Sequence, residues 1–327
     1  MGKMDAQLSI LYLGNTMHKF ILTRILATIP VVLGVIFIIF LIMYLTPGDA
    51  AGIILGSDYT PEAGEALREQ LGLNRSFFVQ FFDYVFGLLR GYLGTSFVSG
   101  EPVSAQIAAR FPNTFLLVMV SMFLCVIVSL PIGVATAVKP NSILSNLSAA
   151  FTLIGLALPT FWQALLFILL FSVYLGWLPS TGSATLAGII LPSITLATTF
   201  MASTMRTTRS SMLESLNQDY VRTARAKGLS KRKVVYKHAL RNALLPVITV
   251  VGVNVGVQLG GSILTETVFS FPGMGRLMMI GISQRDTPTV LSCLVVMAIC
   301  IAVLNLLIDV IYAFIDPRIK SKFSKRR

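Results

Sequence analysis

DYVRTARAKGLSKRKVVYKHALRNALLP, which runs from Asp219 to Pro246, is a polar stretch in an otherwise apolar chain. It holds eight of the 26 lysine and arginine residues and one of the two histidines. Of the 327 residues, 55% are hydrophobic and 12% are charged, whereas soluble proteins carry about 25% charged residues. The composition therefore predicts an integral membrane protein in which this basic stretch connects membrane spans.

Apolar segments on both sides of the basic stretch are long enough to cross a bilayer, which takes about 20 helical residues. A weaker candidate, Ala187 to Met205, contains Pro192 and several hydroxyl residues, which can return hydrogen bonds to their own backbone in lipid. With it, we expect an all-α polytopic membrane protein with six transmembrane helices. The other five predicted spans are Ile25 to Leu45, Thr114 to Val138, Ala149 to Leu175, Pro246 to Thr265 and Thr289 to Ile311.

The basic residues indicate which side of the membrane each loop faces. With six spans and both termini cytoplasmic, 20 of the 26 lysines and arginines lie inside, as the positive-inside rule requires. Five spans with an outer N-terminus would leave the same number inside. Lys19 and Arg24 stand directly before the first span, whereas the next basic residue after it is Arg68, so the first span favours a cytoplasmic N-terminus. We read this span as a retained anchor rather than a signal peptide.

The segment between the first two spans, Pro47 to Pro112, holds seven acidic and four basic residues. Thr60-Pro61-Glu62 predicts the start of a helix, with an N-cap residue, proline in the first turn and early negative charge, and Gly72 can end it. The aromatic stretch from Ser76 to Leu89 is short for a span and predicts a helix lying at the membrane interface. This outer segment either receives a soluble partner or caps the helices.

The basic stretch itself predicts two short helices. Asn217 or Asp219 can cap the first helix, and Gly228 is placed to end it. Ser230 can cap the second, which runs onward until Pro246 opens the next span.

One face of the first short helix carries Val221 and Ala224, and another carries Arg222 and Arg225. Its small residues favour an elbow that enters a groove on another protein, because large side chains would hold the two backbones apart. The same charges also fit a loop that rests on anionic lipid. Charge alone does not choose between these two interpretations.

Motifs for catalysis, nucleotide binding and metal binding are missing from the sequence. There is no G-x-x-x-x-G-K-[ST] loop for a nucleotide phosphate and no G-x-S-x-G elbow. The two histidines stand alone and the three cysteines lie in apolar spans, so we expect no catalytic site, no metal site and no disulfide framework. The net charge of +12 follows the membrane topology, so we expect no nucleic-acid partner.

Ion-coupled transporters need ionisable groups within the membrane. Glu266 and Asp309 come near this requirement, but each lies towards the end of its span, where interfacial solvation or a helix-end contact explains it more simply. The sequence therefore favours transport without an energy source of its own.

The predicted fifth span carries two stripes of residues at helical spacing. Gly252, Gly256 and Gly260 recur every fourth residue, so they predict close packing of a neighbouring helix. Asn254 and Gln258 form a polar stripe. These amides either tie helices together by hydrogen bonds or line an aqueous translocation path, and the first alternative is slightly favoured because buried amides usually find protein partners.

The stretch YVRTARAKG, Tyr220 to Gly228, resembles the cytoplasmic coupling segment of ABC importer permeases. Only Ala224, Gly228 and Leu240 satisfy the broad pattern of that family, E-A-A-x-x-x-G followed by nine residues and I-x-L-P. The variant of the dipeptide, oligopeptide, nickel and glutathione branch is met throughout the stretch. Other stretches similar to this branch are TPGDA (46–50), LGLNRSFFVQF (from 71), LRGYLGTS (89–96), LPTFW (158–162), LGWLPSTG (175–182) and ETVFSFPGMGRL (266–277).

The resemblance implies a type I ABC importer permease fold, and the long outer segment resembles the first permease of the pair. The implied layout is a cytoplasmic segment 1–24, a first transmembrane helix 25–45, an extracytoplasmic segment 46–112, a core permease domain 113–315 with a coupling loop at about 206–245, and a basic cytoplasmic tail 316–327. The implied partners are a second homologous permease, two ABC ATPases, an extracytoplasmic substrate-binding protein and membrane lipid. This chain would bind no cofactor, because ATP and Mg²⁺ would be held by the ATPases.

The implied function is to form half of the path for di- or oligopeptides in the bacterial cytoplasmic (inner) membrane. Nickel or glutathione import by the same branch is an alternative, and an ion-coupled secondary transporter or a membrane scaffold is a more distant one. In the implied mechanism, Ala224 and Gly228 supply the fit to an ATPase groove, and Arg222 and Arg225 supply charge contacts. The residues expected to couple to the ATPase are Val221, Arg222, Thr223, Ala224, Arg225, Ala226, Lys227, Gly228 and Leu229.

Overall fold

The computed structural model describes the backbone of residues 2–48 and 50–315, and their side chains except at 2–21, 24, 25, 156 and 309–315. The predicted basic tail 316–327 lies outside the described residues. Within the described ranges, the α-helices in chain order are α1 (Gly2–Leu45), α2 (Ala50–Leu55), α3 (Pro61–Gln70), α4 (Phe77–Leu89), α5 (Val103–Val138), α6 (Ile143–Ala157), α7 (Thr160–Phe167), α8 (Leu186–Leu216), α9 (Asp219–Ala226), α10 (Lys231–Lys233), α11 (Leu240–Val268), α12 (Met274–Ser283) and α13 (Thr287–Ile315).

Five of the predicted spans correspond to helices that are long and apolar enough to cross a membrane. The weak candidate with Pro192 is among them, because its proline lies inside the continuous helix α8. Within the described residues, these five stretches are Leu26–Leu45, Val103–Val138, Leu186–Leu216, Lys231–Val268 and Thr287–Ile308.

The third predicted span, Ala149 to Leu175, is not one straight helix. Ile143–Gly155 and Thr160–Tyr174 meet at an angle of 110°. Between them Leu158 has an extended backbone, with φ −87° and ψ 125°. Pro159 follows it, and proline both disfavours the helical conformation of the residue before it and lacks an N–H. The prediction of six transmembrane spans agrees with five long helices and this broken pair, if the pair crosses as one span, and the break itself is a feature that the sequence analysis did not predict.

The chain divides into two compact units. We call Met17–Thr114 with Pro272–Ala302 the outer-segment unit, and Phe115–Phe271 with both chain ends the core unit.

In the outer-segment unit, α3 begins and ends where the sequence predicts. Thr60 Oγ1 accepts a hydrogen bond from the Ala63 N–H at 3.2 Å. Gly72 has φ +72°, and the Leu73 N–H donates to the Arg68 carbonyl at 2.9 Å, as in a Schellman motif. The prediction of a helix from Thr60 to Gly72 is confirmed.

Helix α4 carries aromatic side chains on two faces. Phe77 and Phe81 pack edge-to-face on Phe37 and Phe40 of α1, with ring centroids 5.2 to 5.9 Å apart. Such pairs contribute about 0.5–1.5 kcal/mol each beyond the area they bury. The helix is a short apolar one of 13 residues, as expected, and its predicted place at the membrane interface stays a prediction. The exposed aromatic side chains are Phe78, Phe82 and Phe86.

A buried carboxylate connects the loop before α5 to the turn before α13. Asp286, which is 3% exposed, accepts hydrogen bonds from Ser96 Oγ at 2.5 Å, from the Phe97 N–H at 3.0 Å and from Thr289 Oγ1 at 2.7 Å. Hydrogen bonds to an ionised acceptor are about twice as strong as neutral ones. Asp286 therefore holds two stretches of chain together that lie far apart in sequence.

Close to this carboxylate, a chain of hydroxyl groups makes a second connection in the same unit. Ser292 Oγ donates to the Leu93 carbonyl at 2.5 Å and also lies 3.1 Å from the Tyr84 hydroxyl. The single hydroxyl hydrogen of Ser292 is used in the bond to the carbonyl, so the Tyr84 hydroxyl is the donor in the second bond. Burial raises the pKa of Tyr84 to about 12, so its hydroxyl stays a neutral donor at physiological pH.

The centre of the core unit is an antiparallel pair formed by α8 and α11. Leu191, near the start of α8, packs with Phe269 after the end of α11, while Thr204 lies beside Asn254. Helix α5 approaches α8 closely, since a Cβ on Gly133 would lie 2.6 Å from the Thr208 side chain. Small residues thus permit close helix packing in this unit.

The second helix of the basic stretch does not end before the fifth span. Lys231–Val268 is one continuous helical stretch of 38 residues, of which Val234–Ala239 is π-helical. Pro246 lies inside this stretch and does not open the span, which corrects the expectation. Proline removes the N–H that would bond to the Asn242 carbonyl, but in membrane helices neighbouring groups can compensate for one lost bond.

Candidate functional site

The polar elbow, which we define as Asp219–Leu229, begins after a sharp turn at the end of α8. Asn217 closes α8 and Gln218 stands in the N-cap position with an extended backbone and no side-chain cap. Asp219 is the first residue of α9. The prediction that Asn217 or Asp219 caps this helix is therefore wrong.

Gly228 ends the first helix of the elbow, as the sequence predicts. Its φ is +76°, a left-handed conformation that glycine adopts without a steric penalty. The Gly228 N–H donates to the Arg225 carbonyl at 3.0 Å, and the Leu229 N–H donates to the Ala224 carbonyl at 3.4 Å. These two bonds form the same Schellman motif that ends α3. Ser230 then takes the N-cap position of the next helix, without a side-chain bond to it.

The apolar face of α9 packs inside this chain. Val221 and Ala224 are 0% and 5% exposed and belong to a cluster that includes Met212 of α8 and Val134 of α5. Leu229 packs against the same cluster. The predicted role of Ala224 as a surface that fits a partner is therefore corrected: its side chain, like that of Val221, attaches the elbow to the body of the core unit.

The opposite face of the elbow is free of such packing and strongly basic. Arg222 lies 3.7 Å from Asp219, and both side chains are mostly exposed, so this ion pair is weak. No described atom lies within 4 Å of a Cβ placed on Gly228. This face therefore presents an exposed, positively charged surface to another molecule, with little side-chain bulk at Gly228. Its exposed residues are Arg222, Thr223, Arg225, Ala226, Lys227 and Gly228.

Hydrogen bonds that the sequence did not predict hold the elbow against its neighbours. Ser215 Oγ donates to the Ala239 carbonyl at 2.7 Å and lies 2.6 Å from the Tyr220 hydroxyl. Since the single serine hydrogen goes to the carbonyl, the tyrosine donates to the serine. The chain of bonds thus joins α8, α9 and the π-helical turn that ends at Ala239. The spacing of residues in the sequence does not predict these hydrogen bonds, because they depend on where the π-helical turn places the Ala239 carbonyl.

The amides of the fifth span bond to neighbouring helices. Asn254 Nδ2 donates to Thr204 Oγ1 of α8 at 3.4 Å, and Gln258 Oε1 accepts from Ser121 Oγ of α5 at 3.0 Å. Gln258 is fully buried. Of the two alternatives left open by the sequence, this geometry supports hydrogen bonding between helices, and Gln258 lines no open path in this conformation.

Of the three glycines in the stripe on the same helix, two permit close packing within this chain and one is exposed. A Cβ on Gly252 would lie 2.9 Å from the Ile308 side chain of α13, and Gly256 is buried, so both permit close packing. Gly260 is exposed, and no described atom lies within 4 Å of a Cβ placed there. Packing within this chain therefore explains two of the three glycines.

Gly260 belongs to an exposed face of α11 that runs from Val253 to Leu264. Val253, Val257 and Leu264 are 50%, 54% and 51% exposed and follow one another at helical spacing with Gly260. This face is apolar and contains little bulk at its centre. It is a candidate contact surface, of which the sequence analysis singled out only Gly260.

The two acidic residues of the predicted spans and the cysteines complete the set of residues singled out from the sequence. Glu266 is fully buried near the end of α11, so the explanation by interfacial solvation is wrong for this residue. The side chain of Asp309 lies outside the described residues. The burial of Cys125 and Cys293 agrees with their interpretation as small core residues, whereas Cys300 is half-buried.

Comparisons with known proteins match both ends of the chain to one transport family. Residues 129–321 match the family described as binding-protein-dependent transport system inner membrane component, and residues 17–118 match its N-terminal family. Solved structures of the MetNI methionine ABC transporter in inward-facing conformations share the fold, with a TM-score of 0.54 at 22% identity over 66% of this chain and 99% of theirs.

Curated relatives cover nearly the whole chain. The oligopeptide transport system permease protein AppB of Bacillus subtilis is 42% identical, over 93% of this chain and all of its own length. The glutathione transport system permease protein GsiC of Salmonella typhimurium is 41% identical, over 94% of this chain and all of its own. The dipeptide transport system permease protein DppB of Alkalihalophilus pseudofirmus is 40% identical, over 93% and 100%. The chain therefore belongs to the family of inner-membrane permease components of binding-protein-dependent ABC importers.

Proposed function

We propose that this protein forms half of the translocation path of an ATP-driven importer of di- or oligopeptides and receives its mechanical drive through the elbow. Family membership supports the permease role and the location in the bacterial cytoplasmic membrane. The observation that carries the coupling role is the elbow itself, whose inner face is attached to the core unit while its basic outer face is exposed.

In this proposal the elbow sits in a groove of a cytoplasmic ATPase. A second permease of the same family, two ATPases and an extracytoplasmic binding protein complete the importer. ATP and Mg²⁺ are bound by the ATPases, so this chain performs no hydrolysis of its own. ATP binding changes the elbow's surroundings, and the closed ATPase pair shifts the permease between inward and outward states only if it binds one state more tightly.

The expected roles of the elbow residues towards the ATPase are kept except for that of Ala224, which is buried. Val221 and Ala224 transmit force because they are packed into the core unit. Arg222 and Arg225 supply the charged contacts, and Gly228 keeps the tip free of bulk. The groove that receives this surface is expected to be acidic, since the exposed tip carries basic side chains.

We further propose that the exposed face of α11 with Val253, Val257 and Gly260 borders the path or the second permease. Exposure and low bulk support this role, whereas Gln258 is buried and bonded to α5. Asn254, which bonds to α8, is assigned to helix packing with it.

Peptides are the favoured substrate class because relatives at 40–42% identity are named for dipeptide and oligopeptide transport. Glutathione is the second candidate, since GsiC is about as similar to this chain. Glutathione is itself a tripeptide derivative, so both candidates share a peptide backbone with a free amino and a free carboxyl end.

Reconstitution tests the proposal. The chain is purified with its neighbouring permease and ATPases and placed in liposomes with the binding protein. Uptake of a labelled peptide should require ATP, both permeases and the binding protein. Uptake without ATP, driven by an ion gradient alone, would show a secondary transporter instead. Competition between trialanine and glutathione for the binding protein then separates the two substrate candidates.

A further inference from the structure

A cavity of about 670 Å³ lies in the core unit beside the elbow. Its wall is formed by the end of α8, by Gln218 and Tyr220 at the start of the elbow, and by the first turns of α11. The lining includes apolar side chains, among them Pro246 and Val250, as well as polar ones. The polar side chains relevant here are Glu214, Gln218, Tyr220 and Asn242.

Glu214 is an acidic residue in a strongly basic part of the chain. From Arg206 to Arg241 the chain holds ten basic residues and two acidic ones. The other acidic residue, Asp219, is paired with Arg222. Among the described residues, none forms an ion pair or hydrogen bond with the Glu214 carboxylate, and no lysine or arginine lines the cavity. The cavity is therefore a negatively charged spot within a positive surface.

The other polar side chains of the wall are also available. Within the described chain, the amides of Gln218 and Asn242 have no hydrogen-bond partner. A carboxylate, two amides and apolar lining residues suit a small molecule that carries an ammonium group, amide groups and a short apolar side chain. The amino end of a short peptide has this chemistry.

Position connects the cavity to the elbow. Gln218 and Tyr220 flank Asp219, the first residue of α9. The Tyr220 hydroxyl also belongs to the chain of bonds that passes through Ser215 to the Ala239 carbonyl. A molecule bound in the cavity would therefore touch the start of the elbow, and it would favour the state of the importer that binds it more tightly.

We propose that this cavity is a product site on the cytoplasmic side, which binds the ammonium end of a released peptide through Glu214 and slows the transport cycle when product accumulates. The proposal rests on the proposed peptide import. Because the carboxylate is solvent-exposed, the site is a weak one, suited to sensing high product concentrations.

The test uses the complete importer in liposomes with the ATPases facing outward and the binding protein with its peptide enclosed. Trialanine or N-acetyl-trialanine is added outside, and ATP hydrolysis is measured against peptide concentration. Trialanine should inhibit, and removal of the positive charge by acetylation should weaken inhibition by about three- to tenfold, as expected for one solvent-screened charge contact. Glu214→Gln should weaken inhibition by trialanine to the level of the acetylated peptide.

Asp219→Asn is the matched control, since it neutralises the other carboxylate of the segment, which does not line the cavity. Whatever its basal rate of ATP hydrolysis, this variant should still be inhibited more strongly by trialanine than by N-acetyl-trialanine, by the same factor as the unmodified importer. The proposal is overturned if Glu214→Gln keeps that ratio, or if external trialanine leaves the unmodified importer unaffected. If Glu214→Gln lowers ATP hydrolysis equally with and without peptide, the cavity is a protein contact and the product site is refuted. Absence of ATP-dependent uptake in the unmodified importer would instead refute the proposed function.

Discussion

The elbow and the outer segment are both short helical additions to membrane spans, yet they are held in different ways. The elbow is attached through the apolar face of one eight-residue helix and a chain of neutral hydroxyl bonds. The outer segment is held by aromatic pairs and by a buried carboxylate with three donors. Charged bonds in a buried setting resist displacement more than neutral ones do. The contrast indicates a firmly built outer segment and an elbow whose exposed face is left for a partner.

The largest loss of stability is expected from breaking the buried carboxylate. Asp286→Ala leaves the donors of Ser96, Phe97 and Thr289 without their acceptor, which should destabilise the outer-segment unit by about 2–4 kcal/mol. Limited proteolysis of the purified protein in detergent should then cut within residues 60–100 much faster than in the unaltered protein. Unchanged cleavage would show that the aromatic pairs alone hold the segment.

A pair of glycines sharpens the comparison at the elbow. Gly228 and Gly176 have φ +76° and +62°, and at both positions an added Cβ meets no described atom within 4 Å. Replacing either with valine thus imposes a similar backbone strain of about 1–2 kcal/mol. We expect Gly228→Val to lower peptide uptake per ATP hydrolysed by about tenfold, which corresponds to 1.4 kcal/mol of lost coupling, because its side chain obstructs a partner.

Gly176→Val serves as the control for that variant, since it carries the strain outside the elbow. It should assemble and transport with nearly normal coupling. If both variants lose the same fraction of uptake per ATP, backbone strain accounts for the result and the elbow has no special contact with the ATPase.

A smaller effect is expected when the neutral bonds of the elbow are broken. Ser215→Ala removes the acceptor of Tyr220 and the donor to the Ala239 carbonyl, at a cost of about 1 kcal/mol for the elbow. Trypsin should cleave after Arg225 or Lys227 several-fold faster, because local opening becomes more frequent. Tyr236→Phe is the control, since Tyr236 is 58% exposed; cleavage rates that rise equally in both variants would argue against the predicted anchor.

The smallest effect is expected from an exposed ion pair of the outer segment. Asp83 and Arg75 lie 3.0 Å apart with both side chains more than half exposed. Asp83→Asn should change the thermal midpoint by little, corresponding to about 0.5 kcal/mol or less. A loss as large as that of Asp286→Ala would mean that surface charge, rather than burial, holds the outer segment.

Local signals in the sequence identify elements whose ends depend on near neighbours. Thr60 and Gly72 define α3, and Gly228 ends α9, because capping and left-handed backbone involve residues within one helical turn. The third span was predicted, but the break inside it was not, because the apolar run continues through Pro159.

Other features depend on contacts between distant residues, for which the sequence offers no spacing to read. Asp286 meets Ser96 across 190 positions of sequence, and Gln258 meets Ser121 across 137. Within the candidate site, the motif from Tyr220 to Gly228 identified the elbow and its basic face with Arg222. The motif did not show which residues of the elbow pack against the core unit and which are exposed. Burial makes that distinction, and burial is decided by the helices that pack around α9.

The unbroken helix from Lys231 to Val268 has a mechanical consequence. Its 38 residues make a rod of about 57 Å at 1.5 Å per residue. If the rod pivots halfway along, displacing its Lys231 end sideways by about 5 Å tilts it by about 10° and moves the Val268 end by a similar distance in the opposite direction. A lever of this length needs no relay of intermediate loops to carry a push from one side of the bilayer to the other.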